Sequence, residues 1–376
     1  MGRNLHSRPF DDGTLKKLEI FELYTKEWLP TFIMSKSQYI CIFDFFAGTG
    51  YDLNNIPGSP IRILRQVKGQ LGNIYQNKTK VYLIFNEFNK TKSEQLKNAC
   101  DIFVDSDNEL KRAKANKVLN YKIFQEDFTK LFPRFIKYIN KYPSLVFLDQ
   151  NGVKFTSDEY FMPLVESKCT DFLYFISSSY VARFGDTDEF LKHISYDKER
   201  AQKEPPTWIH RNILDQLRKR IPKGNKTKLY PFTIKKNVNV YGIVFGASHP
   251  RAVDKFLTTA WKENSINGEA NFDIYDDQNK IQLDLFGNKS LTKIEKFQRD
   301  LRDGLMTKQL KTNKDVYDYT LEQGHIPSHA VEEMKKMKKE ELIKYDRTPK
   351  VNYDQVYKHE NIVTYNINEN NKNRMD

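Results

Sequence analysis

The stretch that most restricts this chain is residues 41–50, CIFDFFAGTG. An apolar run opens at Tyr39 and closes on the acid Asp44; Phe46 and Ala47 follow, and then Gly48 and Gly50. A doubly wound α/β sheet builds its first ligand-binding turn in this way. The strand carries the chain to the carboxyl edge of the sheet, and the glycines let the backbone pass close to a nucleotide-like ligand without a clash at Cβ. The dinucleotide fingerprint G-x-G-x-x-G is excluded, because the glycines are too few and wrongly spaced.

Four further short apolar runs behave as buried parallel strands: 81–85 (VYLIF), 121–124, 145–148 (LVFL) and 172–176 (FLYFI). Most end in polar or acidic residues, namely Asn86-Glu87, Glu126-Asp127, Asp149-Gln150-Asn151-Gly152 and a serine run at 177–179. Amphipathic patterns alternate with them, as a parallel sheet with covering helices requires. Ahead of the first strand, 15–29 has apolar residues at helical spacing, with Asp11 or Asp12 as cap and Pro30 closing it. The Gly58-Ser59-Pro60 step reads as a Ser-capped helix start with backbone amides facing outward.

A basic stretch at 184–236 breaks the rhythm and reads as an insertion facing the active edge. The strand 238–245 resumes the pattern, and the polar stretch 273–290 reads as a linker. Within 291–365, Asn313 caps a helix through Thr320, Gly324 ends it, and Ser328 opens a second helix before a hairpin-like stretch. Helix, turn, helix and two short strands is the winged-helix order. The expected division is thus a sheet domain over 1–272, the linker, a winged-helix-like domain over 291–365 and a polar tail over 366–376.

The 376 residues carry a net charge of +12, which favours a polyanionic partner. Cys41, Cys100 and Cys169 lie far apart, so neither a disulfide framework nor a metal site is expected, and a reducing cytoplasm is the natural setting. The first dozen residues are polar, without a signal-peptide pattern, and no apolar run reaches the length of a membrane span.

FDFFAGTG, Gly58-Ser59-Pro60, Glu87, Asp127-Phe128 and Leu148-Asp149-x-x-Gly152 occur in this order. Together they resemble the three-Cys-motif partner (TcmP) family over roughly residues 15–260, and the C-terminal pattern fits it too. The resemblance implies a Rossmann-like class I S-adenosylmethionine (SAM) methyltransferase sheet with a C-terminal winged helix. SAM is then the implied cofactor, and a separate three-cysteine, radical-SAM-like protein the implied neighbour. Phe46, Ala47, Gly48 and Gly50 would line the methionine part of SAM, with Asp44 near its ammonium. Glu87 would take the ribose hydroxyls, and Asp127 the adenine amine.

Asp149 and Asn151 bear on the reaction. Amine-directed nucleic-acid methyltransferases place Asp/Asn-Pro-Pro-aromatic here, so the polar group orients the target amine and the ring stacks the base. This chain keeps the aspartate but lacks the prolines, and Phe155 is the nearest aromatic residue. Two readings follow: methyl transfer to a base nitrogen of DNA or RNA, or an inactive methyltransferase-fold partner that binds nucleic acid or the radical-SAM-like protein. No cysteine sits where a nucleophilic thiolate is needed, and no nuclease carboxylate pattern stands out. Arg211, Arg218, Lys219 and Arg220, with Trp208 and Tyr230 nearby, combine charge and rings as flipped-base or single-strand binders do. A solvated insertion loop is the plain alternative.

Overall fold

The computed structural model describes residues 9–150, 153–177, 198–203, 208–236, 239–280 and 290–368. The chain divides into two compact units, Met1–Ala252 and Val253–Asp376.

The first unit is built on a seven-stranded sheet ordered β3-β2-β1-β4-β5-β7-β6. Its strands are β1 (Tyr39–Asp44), β2 (Lys80–Asn86), β3 (Leu119–Phe124), β4 (Ser144–Leu148), β5 (Thr170–Ser177), β6 (Lys228–Lys236) and β7 (Asn239–Ala247). β1 to β5 pair in parallel, and β7 runs antiparallel to both β5 and β6. A parallel sheet with one reversed strand inserted in this order is the class I SAM-methyltransferase sheet. The strand order reverses between β1 and β4, so the crevice outside their carboxyl ends is where such a sheet places its ligand. Asp44 and Leu148 end those two strands.

Among the described residues the helices of this unit are α1 (Asp12–Met34), α2 (Ser59–Gly69), α3 (Leu71–Gln76), α4 (Lys90–Asp105), α5 (Asn108–Ala115), α6 (Phe128–Ile139), α7 (Asp158–Val165), α8 (Lys198–Lys203) and α9 (Ile209–Arg220). β1 and β4 read as continuous apolar runs because both of their faces are buried. Phe21 of α1 stacks on Phe147 of β4 with ring centroids 4.1 Å apart. Phe135 of α6 meets Phe43 of β1 edge-on at 5.6 Å. Tyr24 ties α1 to β5 by donating to the Asp171 carboxylate at 2.7 Å.

Two local expectations are corrected. Asp11 does cap α1, accepting from the Thr14 amide at 2.8 Å, but Pro30 lies inside the helix, which continues to Met34. Proline removes one backbone hydrogen bond, while Ile33, fully buried beyond it, keeps the last turn against the core. Within the expected insertion, Ile209–Arg220 is a helix whose Ile213, Leu214 and Leu217 join the core. Lys228–Lys236 is the edge strand of the sheet, where Pro231 is tolerated because one side of an edge strand needs no ladder hydrogen bond.

The second unit begins within α10 (Pro250–Glu263), and α11 (Asp277–Lys280) follows. Its three main helices are α12 (Lys293–Met306), α13 (Asn313–Glu322) and α14 (Pro327–Lys339). Residues 343–344 (β8) and 366–367 (β9) then pair antiparallel. This is a winged helix-turn-helix. α12 opens on a reciprocal Thr292–Glu295 capping box and α13 on a Thr312–Asp315 one. The cap of α13 is therefore Thr312 and not Asn313, and α14 begins at Pro327, one residue before Ser328. Gly324 turns the chain between α13 and α14 at φ +73°.

Gly246 of β7 sits opposite Phe172 of β5. A Cβ there would lie 2.1 Å from the Phe172 ring, so the ring occupies the space a side chain would need. Gly246→Ala should destabilise the protein by about 1–3 kcal/mol, and adding Phe172→Leu should restore part of the loss. Urea unfolding followed by circular dichroism measures both; equal midpoints for wild type and Gly246→Ala would contradict the packing.

Candidate cofactor and substrate site

The turn after β1 is fixed from beneath by Asp44. Its carboxylate is fully buried and accepts from the Ser59 hydroxyl at 2.5 Å and from the Phe46 amide at 3.1 Å. Burial pushes this carboxyl up to about 7, against the opposing pull of those two hydrogen bonds. Ser59 was expected to cap α2, but Gly58 holds the cap position and the Ser59 hydroxyl turns inward to Asp44. Gly48 and Gly50 have φ of +66° and +88°, conformations natural to glycine. The reason for Gly50 differs from the ligand clearance read from the sequence: a Cβ there would meet Ala99 of α4 at 2.8 Å. The Gly50 carbonyl accepts from the Gly58 amide at 2.8 Å, closing the loop.

Above this turn, at the carboxyl edge of the sheet, lies a cavity of about 480 Å³. Phe46, Ala47, Gly48, Gly50, Glu87 and Asp149 all line it, so the structure brings these sequence-selected residues together. Asp44 and Asp127 are not in its wall. Asp44 lies under the turn, and Asp127 caps α6 by accepting from the Thr129 amide at 2.8 Å. The Thr129 hydroxyl and amide hold its carboxyl below the usual range. Asn151 lies outside the described residues. Phe155 packs beneath the turn, 5.5 Å from Phe46 and 4.4 Å from Phe128 between ring centroids, and is not in the wall.

Sequence reading missed several residues of this wall. Lys17 of α1, almost fully buried, pairs with Asp149 and stands 4.5 Å over the Phe175 ring. Phe175 in turn stacks on Tyr241 at 5.4 Å. Gln150 is 1% exposed; its carbonyl accepts from the Phe155 amide at 2.8 Å, and its Nε2 has no partner among the described residues. The one signal for Lys17 was a lysine on the apolar side of an amphipathic helix. Its partner lies 132 residues away, and spacing along the chain does not disclose such a pair. The N-terminal wall is pinned by Asp52, which accepts from the amides of Phe10, Asn54 and Ile56 at 2.7–2.9 Å.

Three of the four basic residues chosen as a nucleic-acid surface have partners within the unit. Arg211 is largely buried and lies 4.3 Å over the Trp208 ring. Arg218 donates to the Leu229 carbonyl at 2.6 Å and pairs with Asp215. Arg220 donates to the Thr156 carbonyl at 2.9 Å and pairs with Asp158 at 3.3 Å. Lys219 is exposed. On α14, Glu333 is buried against Arg302, and Lys336 reaches Gln298. Among the described residues no cluster of His, Cys, Asp and Glu could hold a metal ion, and no helix is long and apolar enough to cross a membrane.

Residues 272–350 match the family model described as GMT-like wHTH domain. No curated protein matches the chain. Among solved structures, the complex of Trm1 from Pyrococcus horikoshii with S-adenosyl-L-methionine is 12% identical, at a TM-score of 0.36, over 66% of this chain. This chain spans 59% of the length of that Trm1. Cofactor-bound Rv0187 from MTB is 9% identical, at a TM-score of 0.29, over 63% of this chain and 90% of that one.

Asp44 supplies a pH-dependent test. An unfolded aspartate titrates near 3.9, so raising the folded value to about 7 makes the native state bind the extra proton. Its contribution therefore favours folding at low pH and declines as pH rises from about 4 to about 7. Ser59→Ala removes a donor to the charged form, so it should cost about 1–3 kcal/mol at pH 8 and less at pH 5.5. Denaturant titrations at the two pH values check this. An equal loss at both would mean that Asp44 is not charged in the native protein at pH 8.

Proposed function

We propose that the first unit binds SAM and transfers its methyl group to a nitrogen of a nucleic-acid base, with the winged helix-turn-helix engaging the nucleic acid. The observation that carries this reading is the single cavity wall shared by the glycine turn, Glu87 and Asp149 at the strand-order switch point. Its volume is within the range of small-molecule sites, and the buried Gln150 amide in its wall has no partner among the described residues.

The residues present fit the cofactor. The backbone of Gly48 and Gly50 would border its amino-acid end with Phe46 and Ala47, and Glu87 would accept from the ribose hydroxyls. SAM, when bound, supplies an electrophilic methyl on sulfur. Asp149 would accept hydrogen bonds from the target amine and favour the positive charge that grows on nitrogen as the methyl is received. The nitrogen then releases one proton, which the carboxylate is placed to take. For this Asp149 must share its oxygens between Lys17 and the amine, so Lys17 is a positioning residue of the same site.

A second reading has its own support. Asp149 is paired with Lys17, and Phe155 is packed below the turn. The arrangement therefore also suits a methyltransferase-fold partner that holds SAM, together with nucleic acid or a radical-SAM-like protein, without turnover.

Calorimetric titration with SAM and S-adenosylhomocysteine, and radiolabelled methyl transfer to RNA and DNA, separate the two. Glu87→Ala should weaken SAM binding about 10- to 100-fold, as expected for a lost hydrogen bond to a charged group. Asp149→Asn should leave SAM affinity within a few-fold and suppress transfer. SAM binding without transfer to any nucleic acid selects the partner reading, and no SAM binding at all removes both.

A further inference from the structure

A second and larger cavity, about 590 Å³, lies on one face of β1, β2 and β3, away from the glycine turn. Side chains alternate along a strand, and the register places Cys41 beside Tyr82 and Tyr82 beside Asn120. One face therefore carries Tyr39, Cys41 and Phe43 of β1, Lys80 and Tyr82 of β2, and Lys122 of β3. Tyr39 and Lys80 open their strands, so this end lies about 17 Å from the Asp44 edge at 3.3 Å per residue. Phe135 and Tyr138 of α6, with Tyr142, close one side.

The chemistry of this face is unlike that of a buried parallel sheet, which reads as unbroken aliphatic residues. Tyr39, Tyr82 and Tyr142 are half-buried, and Tyr138 is 43% exposed. Tyr39 lies 6.0 Å from Tyr82 and 5.2 Å from Tyr142 between ring centroids. Lys114 and Lys122 line the cavity, and three more lysines sit over tyrosine rings of its wall: Lys80 over Tyr39 at 6.0 Å, Lys137 over Tyr138 at 5.1 Å and Lys141 over Tyr142 at 5.2 Å. Among the described residues no aspartate or glutamate lines the cavity. Lys114, which lines the cavity, pairs outward with Asp101 and Asp105 at 3.6 and 3.4 Å.

We infer that this tyrosine-floored, lysine-rimmed groove is a binding site for single-stranded nucleic acid. Rings with polar tips offer faces on which unpaired bases stack, in a sequence-tolerant way, and a rim of cations tracks the phosphates. A duplex cannot use such a floor, because its bases are already stacked inside it. A second copy of this chain would bring the same lysines against these, so charge complementarity selects a polyanion. The groove lies on a face of the sheet and shares no lining residue with the cavity that holds Asp149, so a strand held here is anchored apart from that cavity.

The test uses the full chain and fluorescein-labelled 15-mers of mixed sequence, as single-stranded RNA, single-stranded DNA and duplex DNA, with anisotropy read across a salt series. Both single strands should bind more tightly than the duplex. Lys80→Ala with Lys122→Ala should shallow the slope of log affinity against log salt by about 1.4, at about 0.7 per phosphate contact on single strands. Tyr82→Leu keeps a half-buried apolar side chain and should weaken binding about 5- to 100-fold, the range for losing one stacked base; Tyr82→Phe should bind as wild type does. SAM affinity should be the same in all of these variants, which keeps a failure here distinct from a failure of the methyl-transfer reading. Preference for the duplex, an unchanged slope in the lysine variant, or a change only in self-association by light scattering would each overturn the assignment.

Discussion

The buried carboxylate at the end of β1 is the constraint on which the site depends. Asp44 is removed from water and can be held there only because one oxygen accepts from Ser59 and the other from the Phe46 amide. The first contact fixes the start of α2 against the sheet, and the second fixes the direction in which the glycine turn leaves the strand. Gly50 then packs without a side chain against α4, and its carbonyl holds Gly58. Moving any one of these groups would tilt the amides that face the cavity. The acid in the FDFFAGTG motif is thus a structural fastener, one layer below the surface that a ligand would touch.

Glu87 and Asn86 divide a similar task at the next strand end. Asn86 donates to the carbonyls of Phe45 and Glu126 and accepts from the Glu126 amide, which laces the tips of β1, β2 and β3 together. Glu87, one residue on, keeps its carboxylate at the cavity wall. The neighbouring positions differ in role because Asn86 is the last residue of β2, tied to the adjoining strand ends, whereas Glu87 is the first residue beyond it.

The sheet was legible because a chain that alternates short, acid-ended apolar runs with amphipathic helical patterns buries both most readily as parallel strands under covering helices. VYLIF and LVFL each became a strand within two residues of the expected ends. α9 and β6 were hidden because their charges dominate the composition of 184–236, while only Ile213, Leu214, Leu217 and the apolar positions of β6 face inward. α12 was missed although Thr292 and Glu295 stand at capping-box spacing ahead of Phe297 and Leu301. Local motif spacing picked out Gly48, Gly50, Glu87 and Asp149, which share one cavity wall. Lys17, Phe175 and Tyr241 were not legible, since their proximity is created by tertiary packing alone. The resemblance implies an adenine contact for Asp127, while in the structure its side chain caps its own helix.

The pairing of Lys17 with Asp149 also bears on how the chain is made. The two residues are 132 positions apart, and synthesis proceeds at about 5–20 residues per second. The α1 lysine therefore leaves the ribosome roughly 7–26 seconds before the carboxylate that neutralises it, by that same rate. During that interval the Lys17 ammonium lacks the carboxylate that pairs with it in the folded unit, so burying it with the inner face of α1 is unfavourable. Docking of α1 is thereby deferred until β4 has emerged, so a helix made early locks into place only when a strand made later arrives to receive it.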